Sequence, residues 1–201
     1  MSNPDTQQNT GNQPEPWAQL RVCESSGSKH KRAVLREDGY VPTFTTRAAR
    51  LDDAEELAAV HTQSWKETYS GLFPEEAWSD EARLRRLEMW NELLLNVNDT
   101  TAVAEVDSRI VGFAHAEHNR DEPSLPEKEL KMIYVLAVAQ CAGTGQALLD
   151  SVLGWAPASV WVLEQNPRAR AFYAKHRFIH DGTVREMDFN PNIRELRLVR
   201  R

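Results

Sequence analysis

Residues 131–155 read KMIYVLAVAQCAGTGQALLDSVLGW, and this stretch decides the fold. The apolar run at 132–139 forms most of a strand that we predict over 129–138, buried at the centre of a sheet. A turn with Gly143 and Gly145 follows, and apolar residues then recur with the spacing of an amphipathic helix that stops near Gly154. The stretch therefore predicts a central strand that leads directly into a helix packed on the sheet.

The turn between this strand and the helix, Gln140-Cys141-Ala142-Gly143-Thr144-Gly145-Gln146, has the features of an anion site. Backbone N–H groups in the first turn of a helix have no partner within the helix and can point toward a bound anion. Glycines suit such a turn because a Cβ would obstruct the approach of a phosphate to the backbone. Two glycines are also common punctuation between a strand and a helix. The Gly-Lys-Ser/Thr of a P-loop and the third glycine of the Rossmann fingerprint are absent.

The flanking segments extend this pattern over residues 43–201. Asp52-x-x-Glu55 predicts a reciprocal cap at the start of a first helix, Asn166-Pro167 predicts the start of a fourth, and Asp107-Ser108 predicts a tight hairpin turn. The order βααβββαβαββ predicts an α/β fold (an α+β mixed sheet) with helices packed against it. The predicted elements are a strand at 43–47, a first helix ending near Tyr69, a second at 79–95, strands at 100–106, 109–115 and 129–138, a third helix after the glycine turn, a strand at 160–163, a fourth helix, and strands at 178–184 and 194–199.

Composition sets the domain organisation. The chain has 201 residues, 41% of them hydrophobic, which suits one domain or one domain with a tail. We expect an N-terminal tail at 1–42, in which the first 16 residues are too polar to bury a core and are expected to be disordered. Residues 17–41 either add short strands or lie on the surface, and the domain itself covers 43–201.

Charge, hydropathy and cysteine content limit the classes of ligand and the location that we expect. Residues 1–42 carry five acidic and five basic side chains, so the net charge of −6 belongs to the remainder. Nucleic-acid binding depends on Lys/Arg surface, so we expect no nucleic acid, and an acidic domain favours a cationic small molecule. No apolar run reaches the ~18 residues of a membrane span and no leader is legible, so we expect no membrane partner and a cytoplasmic location. The chain has only two cysteines, which are too few for a disulfide framework. It has no Cys/His cluster, so we expect no structural zinc.

Several motifs occur in a fixed order along the second half of the chain. They are Ile133-Tyr134-Val135, Gln140-x-x-Gly143-x-Gly145, Ala147-Leu148-Leu149, and Val160-Trp161-Val162-Leu163-Glu164-x-Asn166-x-x-Ala169-x-x-Phe172-Tyr173-x-x-x-x-Phe178. Together with the order of the elements, they resemble the GNAT superfamily of acetyl-CoA-dependent N-acetyltransferases over residues 43–201. The segment at 61–74, which reads His61-x-x-Ser64-Trp65-x-x-x-Tyr69-x-Gly71-Leu72-x-Pro74, looks like the acceptor-side helices of bacterial members.

The resemblance implies a GNAT-like acyl-CoA N-acyltransferase fold, with acetyl-CoA as co-substrate and no metal. In that family the turn binds the CoA pyrophosphate through backbone amides, the preceding strand pairs with pantetheine, and an Asn and a Tyr of the fourth helix meet the pantetheine and the thiol. Two departures are Cys141-Ala142, where relatives usually carry a basic residue, and Arg177, where a glycine is usual. The implied cofactor-binding residues are Ile133, Tyr134, Val135, Cys141, Ala142, Gly143, Thr144, Gly145, Gln146, Asn166 and Tyr173.

Acetyl transfer to an amine needs a base for the ammonium, a donor for the oxyanion and an acid for the departing thiolate. Glu129 lies eleven residues before Gln140, where some GNAT enzymes place their general base, although it also suits a solvated acid in the 127–129 charge run. A backbone N–H near Val135 is the oxyanion donor that we expect. Tyr173, with a reference pKa near ~10, can protonate a thiolate whose conjugate acid is near ~8.5, or it packs in the core beside Phe172.

Other chemistry-bearing residues have weaker interpretations. Trp65 and Tyr69, spaced i,i+4, either wall a pocket for the acceptor or belong to the core. His115 and His118 lie three apart in a strand and so face opposite sides, which predicts no metal site. Cys141 has no legible His and acid partners for nucleophilic catalysis.

Two functions remain. The first is an N-acetyltransferase that moves an acetyl group from acetyl-CoA by direct transfer to a primary amine of a small molecule or peptide. The alternative is a non-catalytic acyl-CoA-binding or sensing module that acts through a protein partner. The choice of acceptor depends on loops that vary among proteins of one fold, so the sequence does not identify the acceptor. A homodimer is possible, and the sequence does not decide the oligomeric state.

Overall fold

The computed structural model describes residues 21–22, 34–35, 43–119, 125–187 and 190–201. In the N-terminal segment, Arg21–Val22 and Val34–Leu35 pair as antiparallel two-residue strands. The disorder expected for residues 1–16 falls outside the described residues. The domain boundary at residue 43 stays a prediction.

The domain is built on one mixed sheet of seven strands in the described ranges. The sheet order is β1-β2-β3-β4-β5-β7-β6. Neighbouring strands are antiparallel except for β4 and β5, which run parallel. The strands are β1 (Thr45–Ala48), β2 (Thr100–Val106), β3 (Arg109–His118), β4 (Lys128–Val135), β5 (Ala158–Leu163), β6 (Ile179–Met187) and β7 (Asn190–Arg200).

Four α-helices in the described part of the chain complete the predicted order βααβββαβαββ, which is confirmed. They are α1 (Ala54–Tyr69), α2 (Asp80–Leu93), α3 (Thr144–Val152) and α4 (Pro167–Lys175). Helices α1 and α2 cover one face of the sheet through Leu57 and Trp90, and α3 covers the other through Leu148 and Leu149. No helix among the described residues is both long and apolar enough to cross a membrane.

Helix α1 begins differently from the prediction. Its N-cap is Asp53, after a short 3₁₀ turn at Leu51–Asp53, so the predicted cap by Asp52 is wrong. The Asp53 carboxylate accepts the Arg50 backbone N–H at 2.7 Å and two guanidinium N–H groups of Arg47 at 2.7 and 2.8 Å. Arg47 also donates to Glu105 Oε1 at 2.6 Å. One guanidinium therefore joins β1 to the start of α1 and to β2.

The central strand β4 ends at Val135, three residues before the predicted end. The Leu136 N–H donates to the Val111 carbonyl of β3 at 2.9 Å, and a 3₁₀ turn at Ala137–Ala139 follows. Leu136 and Ala139 are 0% and 2% exposed. The apolar character of Leu136 and Ala139 therefore reflects burial at a turn and not continuation of the strand, while Ala137 between them is exposed.

Strands β4 and β5 are paired only at their beginnings. Lys128, Glu129 and Leu130 lie opposite Ala158, Ser159 and Val160. A register shift between β3 and β4 leaves Lys131 as an extra residue in β4. Beyond this point β4 follows β3 while β5 follows β7, so the two central strands part.

The hairpin turn between β2 and β3 forms where it was predicted. Val106 pairs with Arg109, and the two residues between them, Asp107 and Ser108, have φ of 50° and 63°. Positive φ at both central positions is the signature of a type I′ turn, whose twist matches that of the flanking strands. A side chain with a Cβ is strained there, because left-handed backbone costs L-residues roughly 1–2 kcal/mol.

We expect Ser108→Gly to stabilise the protein by about 0.5–1 kcal/mol, since glycine adopts positive φ without that strain. The gain is measured as a higher urea midpoint with an unchanged m-value. Ser108→Ala is the matched control, because it removes the hydroxyl and keeps the Cβ. A midpoint for Ser108→Gly at or below that of Ser108→Ala would contradict the expectation.

Candidate active site

A cleft of about 590 Å³ lies where β4 and β5 part. Residues of α1, β4, β5, the glycine turn and α4 form its walls, with Glu195 of β7. Three predicted site residues do not line the cleft: Glu129, Ala142 and Thr144. Those that do are Trp65, Tyr69, Ile133, Tyr134, Val135, Cys141, Gly143, Gly145, Gln146, Asn166 and Tyr173.

The β4 wall of the cleft offers backbone groups. Leu136 N–H points to β3, so by the alternation of an antiparallel strand the backbone groups of Ile133 and Val135 point away from β3, into the gap. The Val135 carbonyl accepts the side-chain amide of Gln140 at 2.7 Å. The Val135 N–H and both backbone groups of Ile133 therefore face the gap between the strands.

The glycine turn places the N-terminus of α3 at one end of the cleft. Gly143 is the N-cap with φ of 94°, and a Cβ at this position would meet no atom within 4 Å. The left-handed backbone conformation favours glycine at this position. The space that a Cβ would occupy is open. The Thr144 hydroxyl is buried and donates to the Ala139 carbonyl at 2.9 Å, so its side chain braces the turn and only its backbone can serve a ligand. The first N–H groups of α3 have no intrahelical partner.

A cation that the sequence analysis missed lies beside this turn. Arg168 lines the cleft and donates through Nη1 to Gln140 Oε1 at 2.6 Å. It supplies a positive charge beside a turn whose Cys141 and Ala142 carry none. A basic residue in the first turn of a helix opposes the helix dipole. The sequence indicated Arg168 by its position in the first turn of the fourth helix, two residues after the Asn166 cap.

Asn166 has a structural role and also faces the cleft. Its Oδ1 accepts the Ala169 N–H at 3.0 Å, which caps α4 with Pro167 in the first position, as predicted. Its Nδ2 lies 3.5 Å from the Tyr69 hydroxyl. The cap therefore fixes the side chain of Asn166 between the fourth helix and the first.

Tyr173 is 6% exposed and lines the cleft from α4. Burial, and secondarily the nearby Tyr69, raises the pKa of its phenol above the usual value. The hydroxyl therefore keeps its proton at neutral pH. The ring also contacts Phe172 and Phe178, so packing and a position in the cleft are both features of this residue.

The acceptor-side aromatics meet β4 at the opposite wall. Trp65 Nε1 donates to the Tyr134 hydroxyl at 2.9 Å, and the rings of Trp65 and Tyr69 lie 5.4 Å apart. Phe73 packs against both at 5.2 and 5.6 Å. The two predicted pocket residues thus form one aromatic wall that is part of the core and part of the cleft.

His61 is a polar residue of this wall to which the sequence analysis gave no role. It is 6% exposed and lines the cleft, and its ring stacks on Tyr134 at 5.4 Å. Its buried Nδ1 has no hydrogen-bond partner among the described residues. Burial, and secondarily the charge of Arg86, lowers the pKa of His61 to about 3, so the imidazole is neutral. The available signal was a histidine that follows Leu57 and Val60 at helical spacing in the sequence of this helix.

The structure does not bring Glu129 to the cleft. Glu129 belongs to the part of β4 that is still paired with β5, and it lines a separate cavity of about 250 Å³ with Asp99, Glu117 and Lys131. Its Oε1 lies 3.2 Å from the Lys131 ammonium. Glu129 lies in the paired part of β4, away from the predicted site, and its distance along the chain from Gln140 does not reveal this.

Three groups that could ligate a metal lie beside that second cavity: Asp99, His115 and Glu117, with ligand atoms within 4.8 Å of one another. Each already has a partner in the protein. His115 Nδ1 is 2.8 Å from Thr101 Oγ1 and its Nε2 is 3.3 Å from Glu117, and Asp99 accepts the Asn96 amide at 2.6 Å. This cluster is therefore satisfied by hydrogen bonds.

The cleft carries a different charge from the chain as a whole. Its charged lining residues are Lys131, Arg168 and Lys175 against Glu195. The site is thus locally basic within a chain of net charge −6. The net charge of the chain therefore gives no support for a cationic acceptor in this cleft.

Comparison with known proteins agrees with this architecture. Residues 59–178, more than half of the chain, match the model of the acetyltransferase (GNAT) family. The uncharacterized N-acetyltransferase YuaI of Bacillus subtilis is 31% identical over 129 residues, which cover 61% of this chain and 73% of YuaI. An uncharacterized N-acetyltransferase of Archaeoglobus fulgidus is 30% identical over 136 residues, covering 64% of this chain and 88% of that protein.

Solved structures share the fold. The crystal structure of PaiA N-acetyltransferase from Thermoplasma acidophilum in complex with coenzyme A superimposes with a TM-score of 0.61. It is 21% identical, and the match covers 77% of this chain and 98% of that one. The family match, the relatives and the fold agree, and the chain belongs to the GNAT acetyltransferase family and is an acyltransferase.

Proposed function

We propose that this protein transfers an acetyl group from acetyl-CoA directly to a primary amine of a small molecule or peptide. The observation that carries the proposal is that one cleft holds three features together. These are the unpaired backbone of β4, the open N-terminus of α3 and the protonated phenol of Tyr173. A solved relative in fold is a coenzyme A complex, which agrees with the proposal.

The residues present fit acetyl-CoA. The open space before Gly143 and the free N–H groups of α3 suit the pyrophosphate, with Arg168 supplying charge beside them. The backbone of Ile133 and Val135 suits the amide groups of pantetheine, in the manner of a strand added to a sheet. We assign binding to Cys141, Gly143, Gly145 and Gln146 at the turn, and to Asn166 and Tyr173 near the thiol. Ala142 and Thr144 contribute only backbone.

Acetyl-CoA supplies an activated acyl group whose leaving group is a thiolate. We assign to the Val135 N–H, which faces the gap, the hydrogen bond to the carbonyl oxygen as negative charge develops on it. We assign protonation of the departing thiolate to the Tyr173 hydroxyl, which lines the cleft. Because burial raises the pKa of this phenol above that of the thiol, the tyrosinate that forms is the stronger base and regains a proton from water as the products leave. Among the lining residues in the described ranges, the only carboxylate is that of Glu195, which Arg185 holds at 2.7 Å. We assign removal of the amine proton to Glu195, directly or through water, in place of Glu129.

CoA at about 100 times its dissociation constant should add about 2.7 kcal/mol to the free energy of unfolding. We expect Gly143→Ala to lose most of this gain, because the strained turn would withdraw amides from the pyrophosphate. Gly182→Ala is the matched control: Gly182 has φ of 95°, also with no atom within 4 Å of a Cβ, but it lies in β6 outside the cleft lining. The measurement is thermal unfolding with and without CoA. An equal CoA response in both variants would remove the turn from the binding site.

Tyr173→Phe should lower kcat by ~10²–10⁴, the usual contribution of a positioned acid, with little change in KM for acetyl-CoA. Turnover is followed as thiol release with the best acceptor from a panel of amines, amino acids, polyamines and aminoglycosides. Tyr69→Phe removes a neighbouring phenol and is expected to cost less than about 10-fold. Unchanged turnover in Tyr173→Phe would assign this residue to packing alone.

A further inference from the structure

A ladder of side chains crosses the three C-terminal strands on one face of the sheet. Glu195 of β7 lies opposite Leu163 of β5 on one side and opposite Arg185 of β6 on the other. Residues that pair directly across antiparallel strands project from the same face. Leu163 belongs to one apolar cluster with Tyr69 of α1, so this face is the one that carries the aromatic wall. The ladder therefore reaches the cleft beside α1, where Glu195 and Trp161 are lining residues.

Arg185 holds only one oxygen of the Glu195 carboxylate. Its Nε and its Nη2 each lie 2.7 Å from Oε2 of Glu195. No residue in the described part of the chain forms a hydrogen bond to Oε1 of this carboxylate. The Glu195 side chain is 16% exposed, so solvent reaches little of it outside the cleft. A carboxylate bound in this way has a fixed orientation and keeps one oxygen with free lone pairs.

Trp161 in turn holds the guanidinium of Arg185. The centre of this guanidinium lies 4.1 Å from the centre of the indole ring, where the electrons of the ring attract a cation. The guanidinium of Arg197 lies 5.8 Å from the same ring, and Asp181 accepts from its Nε at 2.8 Å. The Arg185 side chain is 53% exposed, so its position depends on the indole and on Glu195 and not on burial.

A second pair on the same strand differs in its surroundings. Arg194 donates through Nε and Nη2 to Glu164 Oε2 at 2.9 and 2.6 Å, and its side chain is also half-exposed. Neither Arg194 nor Glu164 lines the cleft. Exposed ion pairs contribute little to stability, so both pairs should matter little for folding. Only the pair of Arg185 carries a carboxylate of the cleft.

We propose that Arg185 is the positioning residue of the general base and that, held by Trp161, it orients Glu195 with Oε1 toward the acceptor amine. The inference rests on the proposed acetyl transfer and on the assignment of the amine proton to Glu195. Oε1 takes one proton from the acceptor ammonium, directly or through water. The lone pair left on nitrogen forms the bond to the acetyl carbon, and the C–S bond then breaks. The second surplus proton on nitrogen passes to water, and the proton on Glu195 follows as the products leave.

The experiment measures pH profiles for the full chain with acetyl-CoA and the amine of the panel that wild type acetylates fastest. Arg185→Met keeps an unbranched chain beside the indole and removes the guanidinium. We expect kcat to fall about 10-fold, with KM for acetyl-CoA changed less than about twofold. The acidic limb of kcat/KM for the amine should move upward by about 0.3–1 pH, because a carboxylate without a neighbouring cation is protonated at higher pH. Arg185→Lys keeps the charge and loses the fork, so the limb should stay in place while kcat recovers only in part.

Arg194→Met is the matched control, because it removes an equivalent pair from the other face of the same strand. It should change the urea midpoint as little as Arg185→Met does and leave kcat and the pH profile as in wild type. Equal losses of kcat in the two variants would overturn the inference, and so would an acidic limb that does not move in Arg185→Met. Glu195→Gln with wild-type activity at every pH would overturn the base and this inference but leave acetyl transfer standing. Absence of thiol release with every amine of the panel would overturn the proposed function itself.

Discussion

The site depends on how soon two parallel strands stop pairing. β4 and β5 share three residue pairs and then separate, because β4 takes up the extra residue Lys131 and stays with β3 while β5 stays with β7. The separation leaves backbone groups without partners in the middle of a sheet, where a regular ladder would have satisfied them. Those groups and the end of α3 then converge on one space. If β4 and β5 were hydrogen-bonded along their whole length, the sheet would have no cleft between them.

Local signals in the sequence were strong enough to predict the elements. Asn166-Pro167 begins a helix through a contact within three residues, and Asp107-Ser108 turns a hairpin within two. The end of β4 could not be read in this way. Residues 136–139 are as apolar as a strand, and only the 3₁₀ turn at Ala137–Ala139, which depends on tertiary packing, distinguishes them from one.

Residues whose position depends on sheet register were the hardest to place. Glu129 was predicted near the thioester from its distance along the chain, yet it lies beside Lys131 in another cavity. Arg168 belongs to no motif, and His61 opens the 61–74 segment without a role of its own there. Both acquire a place in the cleft only when α1 and α4 pack on opposite sides of it. Likewise, net charge describes the whole surface, while the cleft gathers three basic side chains and one acidic one.

The side chain of Gln140 is constrained by hydrogen-bond polarity. Its amide nitrogen donates to the Val135 carbonyl while its amide oxygen accepts from Arg168, so one residue joins β4, the glycine turn and α4. A glutamate here would have no donor for the carbonyl, and a lysine or arginine would have no acceptor for the guanidinium. Only a carboxamide of this length serves both directions. Position 140 therefore links the β4 wall of the cleft to the α4 wall through two hydrogen bonds.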